Sequence, residues 1–178
     1  MSAIPYQCAP QVAASTLAAI VRVESRGNPL AIHDNTTGRS YTPASRFEAR
    51  ALLSSLLRVG HSVDAGLMQV NSANFKFFRL SANTVFNPCA NVNAGGNILS
   101  RAWLSARRAG MRGQVALWHA VQAYNSGSLA GAPAYANRVW SASGHSHPPV
   151  RYSLTINQAN ITVAFAQSWS ATSKWSPQ

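Results

Sequence analysis

A chain of 178 residues is long enough for one domain with a buried core and too short for several. It carries 15 Lys and Arg residues against 4 Asp and Glu residues, a net charge of +11, while 47% of its residues are hydrophobic. The hydrophobic share excludes a disordered basic tail, and the charge predicts attraction to an anionic polymer. The basic residues are scattered singly except for Arg107 and Arg108, so we predict no nucleic-acid partner.

Residues 12–23 form the longest apolar run, which is too short to cross a bilayer and is broken by polar residues. We therefore expect a helix of a water-soluble domain and no membrane span. No basic segment precedes the run and no small-residue cleavage site follows it, so we expect no signal peptide in this chain. Cys8 and Cys89 could form a disulfide in an oxidising compartment or stay as two thiols in a reducing one, and their spacing does not decide between these.

Helical signals predominate from residue 10 to about residue 142, which predicts a mainly α class with a minor α+β element. The first helix is predicted over residues 10–26, ended by Gly27 and Pro29. Glu24 follows the apolar stripe of this helix at helical spacing, so it should project from the core-facing side of the last turn. The predicted stripe consists of Ala13, Leu17, Ile20 and Val21.

Ser45 and Glu48 have capping-box spacing and predict the start of a second helix, which ends before Gly60. Its apolar residues are Phe47, Leu52, Leu53, Leu56 and Leu57. Further helices are predicted over residues 91–109, 114–126 and 133–142. They place Trp103, Trp118 and Trp140 in the core.

The pattern changes after Ser143, where a Gly, His and Pro segment indicates a linker. Apolar residues then alternate over residues 154–165, which favours a hairpin with its turn at 157–160, or a flexible tail. We therefore divide the chain into a domain at 1–142 and a linker with C-terminal tail at 143–178.

Glu24 is the candidate general acid. Burial on an apolar face and the negative end of a helix both disfavour the carboxylate, so the proton could be retained near neutral pH. The alternative is a Glu that extends into solvent or pairs with Arg22 or Arg26.

Two further segments carry polar groups suited to a sugar. Met68, Gln69 and Asn71 follow the turn at Gly66, and amides can both donate to and accept from sugar hydroxyls and acetamido groups. Tyr124 and Asn125 end a predicted helix, where their side chains could converge on a buried carboxyl.

Taken in order, these motifs resemble the soluble lytic transglycosylase family. They are Glu24-Ser25, Asn28-Pro29, Gly66-Leu67-Met68-Gln69, Phe86-Asn87-Pro88 and Ala123-Tyr124-Asn125-Ser126-Gly127. The stretch 62–71 and Asn87-Pro88-Cys89 are similar to the branch associated with conjugation and type IV secretion. The resemblance covers roughly residues 8–142 and not the tail.

The resemblance implies a lysozyme-like domain that acts as a monomer in the periplasm, without cofactor or metal. The substrate would be peptidoglycan glycan strands, and the partners would be proteins of the secretion or conjugation machinery. Glu24 would cleave the β-1,4 bond between N-acetylmuramic acid and N-acetylglucosamine and leave a 1,6-anhydro end. Periplasmic action would favour a Cys8–Cys89 disulfide. The residues implied to bind substrate are Ser25, Met68, Gln69, Asn71, Tyr124 and Asn125.

Two alternatives remain at the level of sequence. If Asp64 faced Glu24 across a water, an inverting lysozyme-type hydrolase would be feasible. A domain that only binds glycan is the other alternative, against which the presence of both Glu24 and Tyr124 argues.

The histidines show no zinc-ligand spacing and are predicted to lie at the surface or in the linker. They are His33, His61, His119, His145 and His147.

Overall fold

The computed structural model describes residues 4–146 and Pro149, and within them the chain is mainly helical, as predicted. The predicted hairpin over residues 154–165 lies outside the described residues, and the domain boundary near residue 143 stays a prediction. The helices are α1 (Ala14–Ser25), α2 (Arg46–Arg58), α3 (Pro88–Arg108), α4 (Gly113–Ser126) and α5 (Pro133–Ala142). Helix α3 packs along α4, and α5 closes the bundle against α1 and α4.

A small antiparallel sheet lies between the first helices and α3. Its strands are β1 (Ile32–Asp34), β2 (Arg39–Tyr41), β3 (Val63–Ala65) and β4 (Val70–Asn71), in the order β2-β1-β3-β4. The register places Ser40, His33, Asp64 and Asn71 in one row across the four strands. Cross-strand partners project from the same face of a sheet, so this row concentrates polar side chains on one face.

Helix α1 begins later than predicted. The segment before it forms turns instead, in which the Val12 amide donates to the Ala9 carbonyl at 3.0 Å. Leu17, Ile20 and Val21 are buried as predicted, whereas Ala13 is exposed because it precedes the first turn. The helix ends at Ser25, and the next residue, Arg26, adopts a left-handed conformation with φ 54°.

The capping box of α2 is confirmed. The Ser45 hydroxyl accepts the Glu48 amide at 3.2 Å, and the Glu48 carboxylate accepts the Ala44 amide at 3.1 Å. Leu53 is fully buried, but Phe47 is 79% exposed. Phe47, one of the apolar residues of the predicted helix, therefore lies outside the core, on the outward face of the first turn.

The tryptophans differ in burial, although all three were predicted to lie in the core. Trp140 is buried, and Trp118 is half-buried with its Nε1 donating to Asn137 Oδ1 at 3.2 Å. Trp103 is 38% exposed on α3, with the Arg107 guanidinium 5.4 Å from its ring centre. The core prediction is therefore wrong for Trp103 and only partly right for Trp118.

A disulfide between Cys8 and Cys89 joins the N-terminal segment to the first turn of α3, with the two Cα atoms 5.4 Å apart. This confirms the pairing that the resemblance implied. Asn93 Nδ2 donates to the Cys8 carbonyl at 2.8 Å, and Ala9 packs so closely on Gly96 that a Cβ there would lie 2.6 Å from its side chain. The segment before α1 is thereby fixed to α3.

Within residues 4–146, no helix combines the length and the hydropathy that crossing a bilayer requires.

Candidate active site

Glu24 occupies the last turn of α1, half-buried, where this helix packs against α5. The Tyr135 hydroxyl of α5 donates a short hydrogen bond to Glu24 Oε1. Burial raises the pKa of Glu24 to about 8, and the nearby charge of Asp64 adds to the rise, while Tyr135 and Arg138 act in the opposite direction. Glu24 is therefore protonated at neutral pH, as a general acid must be.

The turn that begins at Gly66 is locked in place by Asn91 of α3. Gly66 has φ +83°, and a Cβ on it would lie 2.2 Å from Asn91 Nδ2, so no larger residue fits. Asn91 Oδ1 accepts the Met68 amide at 2.8 Å, and its Nδ2 donates to the carbonyls of Ala65 at 2.9 Å and Val85 at 3.0 Å. One buried amide thus fixes the backbone that connects β3 to β4.

Ser25 and Tyr124 hold the same turn from two helices. The Ser25 hydroxyl donates to the Leu67 carbonyl at 2.7 Å, which ties the end of α1 to the turn. The Tyr124 hydroxyl, predicted to converge on the carboxyl, donates instead to the Met68 carbonyl at 2.6 Å. Burial raises the pKa of Tyr124, and the charges of Glu24 and Asp64 add to the rise.

The side chains predicted to bind substrate are largely engaged within the protein. Met68 is fully buried, and a Cβ on Gly95 would lie 2.6 Å from its Sδ. Gln69 Nε2 donates to the carbonyls of Gly66 at 2.8 Å and Ala31 at 3.1 Å. The structure thus places Met68 in the core and the Gln69 amide nitrogen on the backbone of the turn.

Asn71 and Asn125 differ in their surroundings. Asn71 is buried, and its Nδ2 donates to Asp64 Oδ1 at 2.7 Å while its Oδ1 accepts the Ala73 amide at 2.9 Å. Asn125 is half-buried in the last turn of α4. The substrate-binding roles of all these residues stay predictions.

Asp64 is the second carboxyl of the site. It is half-buried in the middle of β3, and burial raises its pKa to about 6, against the hydrogen bond from Asn71. At pH 7 Asp64 is therefore ionised while Glu24 is neutral. Two carboxyls whose pKa values are driven apart are the usual mark of divided acid and base roles.

Asp34 is a structural carboxylate. It is fully buried at the end of β1 and accepts hydrogen bonds from Thr37 Oγ1 at 2.6 Å and the Thr36 amide at 3.0 Å, with His61 Nδ1 at 2.9 Å. Burial raises the pKa of Asp34, but these hydrogen bonds outweigh it and hold the pKa below its usual range. Such a group stabilises the loop and has no proton to give near neutral pH.

The histidine predictions need correction at two positions. His33 and His119 are buried, with His33 Nδ1 2.9 Å from Ser40 Oγ and His119 Nδ1 2.6 Å from the Leu129 carbonyl. His147 lies outside the described residues. No group of three His, Cys, Asp or Glu side chains suited to a metal ion occurs in the part of the chain that the structure describes.

Sequence reasoning missed Tyr135 and Asn91. Tyr135 shares its helix face with Val139 and so has the pattern of an ordinary core residue. Asn91 lies in the first turn of α3, where Asn is common for capping, and nothing local shows that it reaches back to the turn at Gly66. Both contacts join segments that are distant along the chain, so no short motif contains them.

The comparisons with known proteins show the family of the chain. The model of the transglycosylase SLT domain matches residues 1–142, and the chain belongs to this family. The resemblance drawn from the motifs is thereby confirmed.

Among curated relatives, protein virB1 of Agrobacterium fabrum is 38% identical over 146 residues, covering 81% of this chain and 59% of that protein. Protein virB1 of Rhizobium radiobacter is 40% identical over 126 residues, covering 71% of this chain and 52% of the relative. The type IV secretion system protein virB1 of Brucella abortus is 34% identical over 156 residues, covering 83% of this chain and 65% of the relative. The chain thus spans little more than half to about two thirds of the length of these relatives. No solved structure matches it significantly.

Proposed function

We propose that this protein is a peptidoglycan lytic transglycosylase that cleaves the β-1,4 bond between N-acetylmuramic acid and N-acetylglucosamine. The observation that carries the proposal is Glu24, a protonated, half-buried carboxylic acid oriented by the Tyr135 hydroxyl. Membership of the transglycosylase SLT family supports the same chemistry.

In the proposed reaction Glu24 acts twice. Its proton passes to the glycosidic oxygen, the bond from that oxygen to C1 of the muramyl sugar breaks, and Glu24 becomes a carboxylate. That carboxylate then takes the proton of the C6 hydroxyl, whose oxygen bonds to C1 and closes the 1,6-anhydro ring. The acid is restored and no water is consumed, so one residue suffices for both proton transfers.

Hydrolysis of the lysozyme type is the second candidate, because Asp64 is ionised and close enough to Glu24 for its charge to act on it. The mass of the fragments released from purified sacculi separates the two, since an anhydro end is lighter than a hydrolysed end by one water. We expect anhydro ends. Hydrolysed ends would favour the muramidase, and no release would favour a domain that only binds glycan.

The proposed setting is the periplasm, where the enzyme would open the wall locally for a type IV secretion or conjugation apparatus. The names of the Brucella relatives and the Cys8–Cys89 disulfide, which an oxidising compartment would preserve, support this setting. A net charge of +11 would favour binding to a wall polymer that carries carboxylates.

The pH dependence of cleavage should follow Glu24. Because its pKa is raised to about 8, the acid form predominates below that pH and is lost above it. We expect the rate of cleavage to fall about tenfold per pH unit above pH 8. Initial rates on solubilised glycan strands from pH 5 to 10 would measure this, and a decline that began near pH 5 would contradict the assignment.

Tyr135→Phe should change both rate and pH profile. The hydroxyl stabilises the Glu24 carboxylate, so its loss should raise the pKa of Glu24 further and slow the first proton transfer, in which that carboxylate forms. A hydrogen bond to a charged group contributes about 1.5 to 3 kcal/mol, which predicts a loss in kcat of roughly 10- to 150-fold. The alkaline limb should move to higher pH. Tyr41→Phe, on β2, is the matched control and should leave kcat and the pH profile unchanged.

A further inference from the structure

Asp64 acts on Glu24 through its charge, and two contacts of the turn that follows its strand hold the two elements together. Three residues after Asp64, the Leu67 carbonyl accepts the hydroxyl of Ser25, the neighbour of Glu24. The following carbonyl, that of Met68, accepts the Tyr124 hydroxyl. The end of β3 is therefore fixed against the end of α1, where Glu24 lies.

The orientation of the Asp64 carboxylate is also fixed. Its cross-strand partner Asn71 donates to Oδ1 at 2.7 Å, and Asn71 cannot turn away without losing the Ala73 amide. On the other side of the row, the partner His33 directs its Nδ1 to Ser40. The Asp64 carboxylate is therefore held in one orientation while half-buried. Partial burial of a negative charge costs free energy unless a positive charge nearby offsets it.

We propose that Asp64 is a second catalytic carboxylate, whose negative charge stabilises the positive charge that develops at C1 of the muramyl sugar when Glu24 protonates the glycosidic oxygen. The inference rests on the proposed function and adds to it a residue that takes no proton and forms no bond. Asp64 stays ionised throughout, while the proton leaves from Glu24 and returns to Glu24 from the C6 hydroxyl. Fixed charges in a partly dehydrated site are effective because they need no reorganisation during the reaction.

The same charge also acts on Glu24. The charged and hydrogen-bonding groups that act on Glu24 are Asp64 on β3 and Tyr135 and Arg138 on α5, while Tyr124 on α4 feels the charge of Glu24. Of these, Asp64 is the group whose ionisation favours the protonated form of Glu24 near neutral pH. Rate should therefore require an ionised Asp64 and a neutral Glu24, a bell-shaped profile between about pH 6 and about pH 8.

The test is Asp64→Asn in the full chain, with solubilised glycan strands as substrate. The amide oxygen can still accept the Asn71 hydrogen bond, so the fold should be preserved. We expect kcat to fall about 10²- to 10³-fold, with little change in KM and with anhydro ends still formed. The acid limb near pH 6 should vanish, and the alkaline limb should move to lower pH because Glu24 loses the neighbouring charge.

Two matched controls separate catalysis from stability. Asp34→Asn changes the other carboxylate of the sheet, which is fully buried, and should lower the denaturation midpoint without moving the alkaline limb. Glu48→Gln, at the exposed start of α2, should change neither. Should Asp64→Asn fail to fold, Asn71→Ser removes the amide donor while its hydroxyl can still accept the Ala73 amide, and the acid limb should then move to higher pH.

Near-native kcat with an unmoved alkaline limb in Asp64→Asn would overturn the inference. Failure of the proposed function would look different, because the wild-type protein would then release hydrolysed ends or none. A wild type that makes anhydro ends, with an Asp64→Asn variant that is as fast, would retain the transglycosylase and reject only the role of Asp64.

Discussion

Glu24→Gln is expected to abolish turnover while leaving glycan binding intact. The amide keeps the size of the side chain and can still accept the Tyr135 hydroxyl, but it has no proton to transfer. General acid–base help contributes about 10²- to 10⁴-fold, and here one residue supplies both transfers. We therefore expect a loss at or beyond the upper end of that range, measured as soluble fragments released from sacculi.

The same variant should be more stable than the wild type above neutral pH. The pKa of Glu24 is raised from 4.5 to about 8, so between these values the unfolded chain releases a proton that the folded chain retains. Wild-type stability falls as pH rises through that window, by up to about 1.4 kcal/mol per pKa unit. Gln has no such loss. Thermal midpoints of both proteins at pH 4 and pH 8 would measure the difference. We expect the midpoint of Glu24→Gln to exceed that of the wild type at pH 8 and to equal it at pH 4.

A Glu24→Gln protein that still cleaves glycan at a near-native rate would show that the catalytic assignment is wrong. Equal thermal midpoints at pH 8 would instead show that the carboxyl is more solvated than its packing against α5 indicates. Glu48→Gln is the control for both measurements, because Glu48 is exposed and its carboxylate only caps α2.

Replacing both Cys8 and Cys89 by Ser should cause the largest loss of stability. The bridge joins residues 81 positions apart, and closing a loop of that length stabilises by about 4 to 5 kcal/mol in the chain-entropy model. We expect the free energy of unfolding to fall by that amount, measured as the urea midpoint times the slope. Since the bridge fixes the segment before α1 to α3, loss of activity should accompany the loss of stability.

Wild-type protein in reducing agent is the matched control and should unfold at the midpoint of the double Ser variant. Adding the agent to the variant should change nothing. A variant with the wild-type midpoint would mean that the contacts of Cys8 and Ala9 on α3 hold the N-terminal segment without the bridge.

The sequence by itself determined most of the helices and the placement of Glu24 in the last turn of α1. The 3.6-residue periodicity placed α4 and α5 within a residue of their observed bounds, and the capping box placed the start of α2. Glu24 could be predicted as the candidate general acid because it follows the apolar stripe at helical spacing, and this spacing is a local feature of one helix. Helix starts were less certain, as α1 shows, because turn residues also tolerate an apolar pattern.

Only the tertiary structure decided how the acid is surrounded. The strands, of two or three residues each, are too short for alternation to predict them, and their pairing depends on contacts between distant segments. The hydrogen-bond partner of Glu24 is Tyr135 rather than Tyr124, because α1 packs on α5 and the Tyr124 hydroxyl of α4 donates to the Met68 carbonyl. Local periodicity determines which face of a helix is buried. The residue that contacts that face comes from a distant segment, and no short stretch of sequence identifies it.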